Sequence, residues 1–372
     1  MAHFGRSSRR SVIVGVVVLA IVAAVGIAVG CGSSSSSSGD SGSAEEHPTV
    51  VVAGFGGALG EAEKAAYLDP WVKAGGSVQQ LDVEASLAAV QEQVNSGKVL
   101  WDIVELGGPD MNTGAAAGIL LQMDPKVVDK ANAWTFDTEY GTVSGVMDYG
   151  VDSNHYTEGI GYLADKYSTP PTWQDFFDLQ KYPGRRAMEK YIQDGTLEYA
   201  LLGSGVPKEQ LYPLDYNKAI DELKKMGDNI VWVDSLAQAS QLLISGDVVM
   251  TQTAAGRMLA LQKAGLNVAY NPVGQNGGSY WCIPKGAPHA EEAMKMLGYI
   301  VSTPECSTTM ANMTGYAGPN AAGNDAATGM GAAFLFTNPD VYALGFPVNL
   351  NWWTPENTQL ATNAFNDYLA GQ

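Results

Sequence analysis

Thr49-Val50-Val51-Val52-Ala53-Gly54-Phe55-Gly56-Gly57 is the stretch on which the reading of this chain turns. An apolar run of strand length, rich in β-branched residues and stopped by glycine, fits a strand covered on both faces. Gly56-Gly57 then opens a helical stretch expected from Leu59 to about Leu68. Working outward, the same unit recurs. Leu87, Val90 and Val94 stand at helical spacing, Gly97 punctuates, and Trp101 to Leu106 reads as the next strand. Further on, Leu236, Ala239, Leu242 and Leu243 form a helical face, Gly246-Asp247 turns the chain, and Val248-Val249-Met250 is again strand-like. Pro288 suits a first helical turn, and Ala290, Met294, Leu297 and Val301 continue that helix as far as Pro304. Strands alternating with helices place the chain in the α/β class, with mostly parallel sheets and helices on both faces. Ligands of such sheets sit beyond the carboxyl ends of strands. The loops singled out are therefore Gly54–Ala58, Glu105–Asp110, Met147–Asp152, Thr251–Arg257 and Gly277–Trp281.

Upstream of this body the chain changes character. Arg6, Arg9 and Arg10 precede an apolar and glycine run from Val12 to Gly30, which ends in Ala28-Val29-Gly30-Cys31 and a serine tract, Ser33 to Ser38. A basic start, an apolar middle and small residues at the end make a secretory signal, residues 1–30. The cysteine after the small residues resembles the lipobox of bacterial lipoproteins, in which a thiol is needed to form the thioether to diacylglycerol. Cys31 is thus the expected lipidation site, and residues 31–48 are a lipidated cysteine followed by a flexible Ser/Gly tether. An uncleaved membrane span is the alternative, since the apolar run is long enough to cross a bilayer. Ser8-Arg9-Arg10-Ser11-Val12-Ile13 also resembles a twin-arginine export signal, so Sec and twin-arginine routes both stay open. Either way the body is expected outside the cytoplasmic membrane, where Cys282 and Cys306 are the pair available for a disulfide.

Composition narrows the function. The 372 residues are 46% hydrophobic, ample for a packed core, and their length suggests more than one lobe. A net charge of −18 argues against a nucleic-acid partner, which would need a basic face. Three cysteines and four histidines leave no evident metal site, and no cofactor motif is present. There is no G-x-S-x-G elbow, no His-Glu-x-x-His and no P-loop. His155 and His289 are the two histidines of the body, each read as a surface residue without a triad partner. The chain is not expected to be an enzyme.

Six segments carry a family resemblance. They are Trp173-Gln174-Asp175-Phe176-Phe177, Tyr182-Pro183-Gly184-Arg185-Arg186, Leu211-Tyr212-Pro213-Leu214-Asp215, Ala237-Gln238-Ala239, Tyr280-Trp281-Cys282-Ile283-Pro284-Lys285-Gly286-Ala287-Pro288 and Gly315-Tyr316-Ala317-Gly318-Pro319-Asn320. Their order from Thr49 onward resembles a solute-binding protein of bacterial ABC importers, in the spermidine/putrescine-binding-like group. The resemblance implies a periplasmic-binding-protein-like fold: two lobes joined by crossover strands, with the ligand in the cleft between. Residues 49–151 plus 275–330 would form lobe 1, and 152–274 plus 331–372 lobe 2. It also implies a small organic solute, a membrane permease as partner, a monomeric body and no metal or cofactor.

Where that group has aromatics and an acid after its first strand, this chain has Gly54-Phe55-Gly56-Gly57-Ala58, with one aromatic and no carboxylate. The Trp-x-Asp before the Ile-Pro strand is here Gly277-Gly278-Ser279, and Ala254 stands where a tryptophan is expected. A buried ammonium without a counter-charge costs several kcal/mol, so other acids are candidates for the clamp: Asp148 and Asp152, which flank Tyr149, with Asp194, Glu198 and Asp234. Phe55, Tyr149, Tyr280, Trp281 and Trp352 are candidate π faces for a cation. Arg257 points the other way, toward a carboxylate held bidentately, and Gly56, Gly57 and Ser279 complete the candidate lining. Two ligand readings follow: a polyamine-like amine, taken as the main one, or an amino acid-like or carboxylated solute. A secreted α/β enzyme on a related scaffold is the reading from another class.

Overall fold

The computed structural model describes residues 47–83 and 85–371. The signal, Cys31 and nearly all of the tether fall outside the described residues. The quoted apolar run is strand β1 (Thr49–Gly54), with Val50, Val52 and Ala53 buried. It pairs in parallel with β2 (Ser77–Asp82) on one side and β3 (Ile103–Gly107) on the other. The helix expected over 59–68 is longer. It starts at Gly57, passes through a π turn at Lys64–Leu68 and ends at Lys73. Helix Leu87–Ser96 is capped by the Ser86 hydroxyl and stopped by a left-handed Gly97.

A hairpin of β4 (Thr135–Thr138) and β5 (Gly141–Ser144), then the short β6 (Val146–Met147), lead into β7 (Gly150–Leu163). Beyond it come β8 (Arg186–Glu189), β9 (Ile230–Val233), β10 (Met250–Ala254), β11 (Val268–Asn271), β12 (Gln275–Cys282) and β13 (Phe346–Pro347). The strand order is β2-β1-β3-β12-β7-β10-β8-β9. Each end of this order is a parallel group: β2-β1-β3 at one end and β10-β8-β9 at the other. The middle is antiparallel, which pure strand–helix alternation does not predict. Strand β7 is 14 residues long and serves both halves. Residues 151–157 pair with β12, while residues 158–162 pair with β10. A strand that runs out of one half and another that returns beside it are antiparallel by necessity.

The second half packs around Trp173, Phe176, Tyr199, Leu223, Trp353 and Phe365. Trp173 stacks on Tyr199 at 3.8 Å between ring centres. The C-terminal helix Pro355–Ala370 supplies Phe365 to this cluster, each such aromatic burying enough apolar surface to contribute a few kcal/mol. The Tyr182–Arg186 motif has a structural task here. The wholly buried Arg186 guanidinium donates to the carbonyls of Phe176 (2.6 Å), Asp178 (3.2 Å), Gly184 and Tyr182, holding the 176–184 loop against the sheet.

Two expectations change. Cys282 and Cys306 are both buried and free. Cys282 lies on β12 among Val104, Leu106 and Met111, whereas Cys306 lies on helix Pro304–Thr314 in a different cluster, so no bridge joins them. The two histidines are not solitary surface residues. His155 is 2% exposed with its ring 3.1 Å from Asp152, and His289 reaches Asp102 through both its backbone N–H and its ring. Among the described residues no helix is long and apolar enough to cross a membrane.

Candidate functional site

The carboxyl ends of the two parallel groups face each other across β7 and β12. From the first half come Phe55, after β1, and the helix Gly108–Ala116 after β3. From the second come Glu189 at the end of β8, the turn Tyr191–Asp194, and helix Ala255–Lys263 after β10. Tyr191 shows that a concave wall separates them. Its side chain is 43% exposed, yet it is crowded by Asp110 from the first half and by Asp194 and Glu189 from the second. Burial first, then these acids, push its hydroxyl well up, Asp110 acting on it from across the gap.

An acid cluster forms the second-half wall. Glu158 projects from β7 and is fully buried. Its Oε2 accepts from the Tyr199 hydroxyl at 2.7 Å and from Gln252 Nε2 at 3.2 Å, while Oε1 has no protein partner. Gln252 ties the cluster together. Its Oε1 accepts the Glu189 N–H at 3.1 Å, and its Nε2 also donates to the Asp194 carbonyl at 2.8 Å. The Asp194 charge acts on Glu189, and Glu189 Oε2 is left without a partner. Burial first, then the Asp194 charge, pushes Glu189 up to about 9. Burial pushes Asp194 to about 7. Glu158 is raised well above the ordinary carboxyl range by burial and by Asp194.

Arg257 supplies the opposite charge. It sits in the first turn of helix Ala255–Lys263, exposed, and its charge lowers both Glu189 and Tyr316. Tyr316 packs against Gly256 and lies 4.8 Å from the Tyr156 ring on β7, giving an aromatic floor beside the acids. On the first-half side Phe55 is 49% exposed, with its N–H on Glu105 Oε2 at 3.3 Å. Gly56 has φ 69°, and a Cβ there would fall 2.6 Å from Asp82, so this lip must be glycine.

Of the residues singled out from sequence, Phe55, Gly56, Gly57, Asp194, Arg257 and Ser279 are at or beside this cleft. Ser279 stands on β12 opposite both Gly107 and Asn154. Others lie elsewhere. Asp148 is an exposed partner of Lys130 at 2.6 Å, and Asp234 of Lys190 at 2.8 Å. Glu198 is wholly buried on the core side of helix Thr196–Gly203, bonded to the Tyr212 hydroxyl at 2.6 Å. Tyr280 and Trp281 are each 1% exposed core residues. Tyr149 packs beside Met111 and Leu106, and Trp352 on the second-half core. Sequence reading passed over Glu158, Glu189, Tyr156 and Tyr191. Glu158 and Glu189 sit inside buried strands, where nothing in spacing marks them. Tyr316 and Asp110 stood inside segments already singled out, and only their roles were missed. Two surface cavities, about 410 and 270 Å³, are lined by residues such as Leu201, Pro207 and Lys218, and Asn112, Tyr140 and Leu350; none of the acids or Arg257 lines either. Among the described residues no group of histidine, cysteine and carboxylate side chains is arranged to hold a metal ion.

Comparison with known proteins fits this geometry. The family described as bacterial extracellular solute-binding protein matches residues 77–329. A gamma-aminobutyric acid-binding protein of Pseudomonas aeruginosa is 32% identical over 266 residues, 68% of this chain and 71% of the relative. A solved GABA receptor shares 27% identity with a TM-score of 0.76, covering 86% of this chain and 97% of its own. A binding protein from A. tumefaciens B6, solved with glucopine, shares 31% identity with a TM-score of 0.75, covering 86% and 99%. A spermidine/putrescine-binding protein from Streptococcus pneumoniae is 18% identical with a TM-score of 0.63, a likeness of fold alone. The narrower polyamine group is therefore replaced by the broader family, and the polyamine preference is not supported. The fold is that of two-lobed periplasmic binding proteins, the location is extracytoplasmic, and the relatives bind solutes for ABC transporters without turning them over. The chain belongs to the bacterial extracellular solute-binding protein family and is the substrate-binding component of an ABC transporter.

Proposed function

We propose that the solute is a small zwitterion of the amino acid type, with an ammonium and a carboxylate separated by a short chain. The observation that carries this is Arg257 standing beside the Glu189–Asp194 pair, both charges at the mouth of one cleft. An ammonium needs acceptors, and Glu189, Asp194 and Glu158 offer them. A carboxylate needs donors, and the Arg257 fork offers two in one plane. Tyr156, Tyr316 and Phe55 cover the aliphatic stretch between. A diamine would leave Arg257 facing a second cation, and a dicarboxylate would face the acid cluster, so each is disfavoured by like charge. The gamma-aminobutyric acid-binding relative supports the same class.

Binding closes the lobes because the solute touches both walls only when they meet. The closed form then docks on the permease, and lipid on Cys31 with its Ser/Gly tether keeps the body near the membrane. Thermal shift and calorimetry on residues 49–372 test the assignment. GABA or 5-aminovalerate at 100 times Kd stabilises by about 2.7 kcal/mol, with putrescine and succinate giving no shift. Equal shifts with putrescine, or none with any ω-amino acid, overturn it.

A further inference from the structure

We propose that Glu105 is a positioning residue for solute capture, its one side chain fixing the cleft lip at Phe55 to a bulge in the crossover strand β7. This rests on the reading of Phe55 as cover for the solute's aliphatic stretch and goes beyond it, from what touches the solute to what holds that contact in place. The lip has little else to hold it. Phe55 is half-exposed and is followed by Gly56 and Gly57 at positive φ, 69° and 61°, a backbone free to swing. Its N–H donates to Glu105 Oε2 at 3.3 Å. Gly54, just before it, has no Cβ to crowd that oxygen; one would lie 3.2 Å away.

The other oxygen faces β7. Glu105 Oε1 accepts from Ser153 Oγ at 2.9 Å and from Asn154 Nδ2 at 2.7 Å. These residues form a bulge: Asn154 stands opposite Ser279 on β12 and Asp152 opposite Tyr280, so Ser153 is the extra residue. The Tyr67 hydroxyl holds the Ser153 carbonyl at 2.9 Å. Gly278 lets β12 approach so closely that a Cβ there would fall 2.3 Å from the Asn154 carbonyl oxygen. The bulge is thus firmly seated, on the strand that runs from one half into the other. Glu105 is wholly buried with donors on both oxygens, so it does not touch the solute itself. Its effect passes through Phe55, whose ring it keeps at one place relative to β7 as the second-half wall closes on it.

Two readouts separate this role from plain support of the fold. With 4-fluorophenylalanine placed at position 55, the solute-free protein should give a fluorine resonance that moves or splits in Glu105→Gln, whose amide has one acceptor oxygen where the carboxylate has two. Ser153→Ala, a milder change should Glu105→Gln fold poorly, should move it in the same way. A resonance unchanged in both variants overturns the proposal. For binding, calorimetry with GABA completes a double-mutant cycle. Phe55→Ala should raise Kd about tenfold, the worth of a half-covered ring. Glu105→Gln should raise it by no more than that, and by less than about twofold in the Phe55→Ala background. Losses that add in the double variant overturn the coupling to the lip while leaving the zwitterion reading intact. A Phe55→Ala variant that binds like wild type removes the ring from the solute and the proposal with it. If no ω-amino acid binds, the solute assignment falls alone, and the fluorine resonance still decides whether Glu105 holds the lip.

Discussion

Each half of the molecule carries a buried acid pair, and the two pairs do different things. In the first half Glu63, at the end of helix Gly57–Glu63, and Glu105, on β3, are 1% and 0% exposed. Glu105 accepts from Ser153 Oγ at 2.9 Å, Asn154 Nδ2 at 2.7 Å and the Phe55 N–H, so its oxygens are spoken for. The Gly54 backbone presses against it: a Cβ there would lie 3.2 Å from Glu105 Oε2. No arginine or lysine is among the groups that shift it. In the second half Asp194 is half-buried, Glu189 keeps a free oxygen, and Arg257 stands alongside. Burial raises the acids in both places. Each pair also leaves one buried oxygen without a partner, Glu63 Oε1 and Glu189 Oε2, so what separates a packed pair from a binding pair is a path to solvent and a complementary charge.

The largest effect should separate the two pairs by affinity. Asp194→Asn leaves a neutral amide where the ammonium needs charge, and the GABA Kd should rise about 100-fold, since breaking a desolvated charge pair costs several kcal/mol. Glu63→Gln should leave Kd within about twofold. Calorimetry decides, and a Glu63→Gln loss as large as that of Asp194→Asn would erase the distinction.

Next in size is Arg257→Ala. Because this side chain is exposed, its charged hydrogen bonds count for less than buried ones, and the GABA Kd should rise about tenfold. Butylamine, with no carboxylate, should bind the variant and the wild type alike. Equal losses for both ligands would assign Arg257 to folding of the acid wall instead of to the solute.

Much of the fold was legible because it rests on apolar periodicity. The run Thr49–Ala53, the helical faces at Leu87–Val94 and Leu236–Leu243, and their glycine stops all form as local preference dictates. The antiparallel centre was not legible, since pairing of β7 with both β12 and β10 joins residues about 90–130 positions apart, which no local pattern encodes. The same holds for the site. Loops after strands were the right places to look, and Phe55, Asp110 and Arg257 were in them. Glu158 and Glu189 were hidden because an inward acid on a strand has the spacing of any core residue. Asp148 and Asp234 were attractive only because acids near a strand end look alike until their lysine partners are placed.

Stability against pH gives a smaller test of the same contrast. Glu63 is raised by burial and by Glu105, so its folded form holds a proton more tightly than the unfolded chain does. That stabilisation is full below the ordinary glutamate pKa and is lost as pH climbs toward the raised folded value. Glu63→Gln keeps a neutral group in place and removes this loss. The variant should match wild type at pH 4 and exceed its Tm by about 2 °C or more at pH 8, with 1 kcal/mol worth a few degrees in a chain of this size. Differential scanning calorimetry across that range checks the sign. A variant that loses stability at pH 8 would mean Glu63 is ionised in the folded protein.

The smallest expected effect tests whether the cleft closes through protein contacts as well as through solute. Tyr191 and Asp110 come from opposite halves, and a hydrogen bond between them can form only when the walls approach. Tyr191→Phe removes the donor without changing the ring, so it should weaken GABA about threefold, the size of one partly solvated hydrogen bond. It should also shift the solute-free protein toward a larger radius of gyration, because the bond favours the closed form with or without solute. Small-angle scattering of both proteins, empty and saturated, separates the possibilities. Equal empty radii with a weaker Kd would make Tyr191 a direct solute contact, and an unchanged Kd with unchanged radii would remove it from closure altogether.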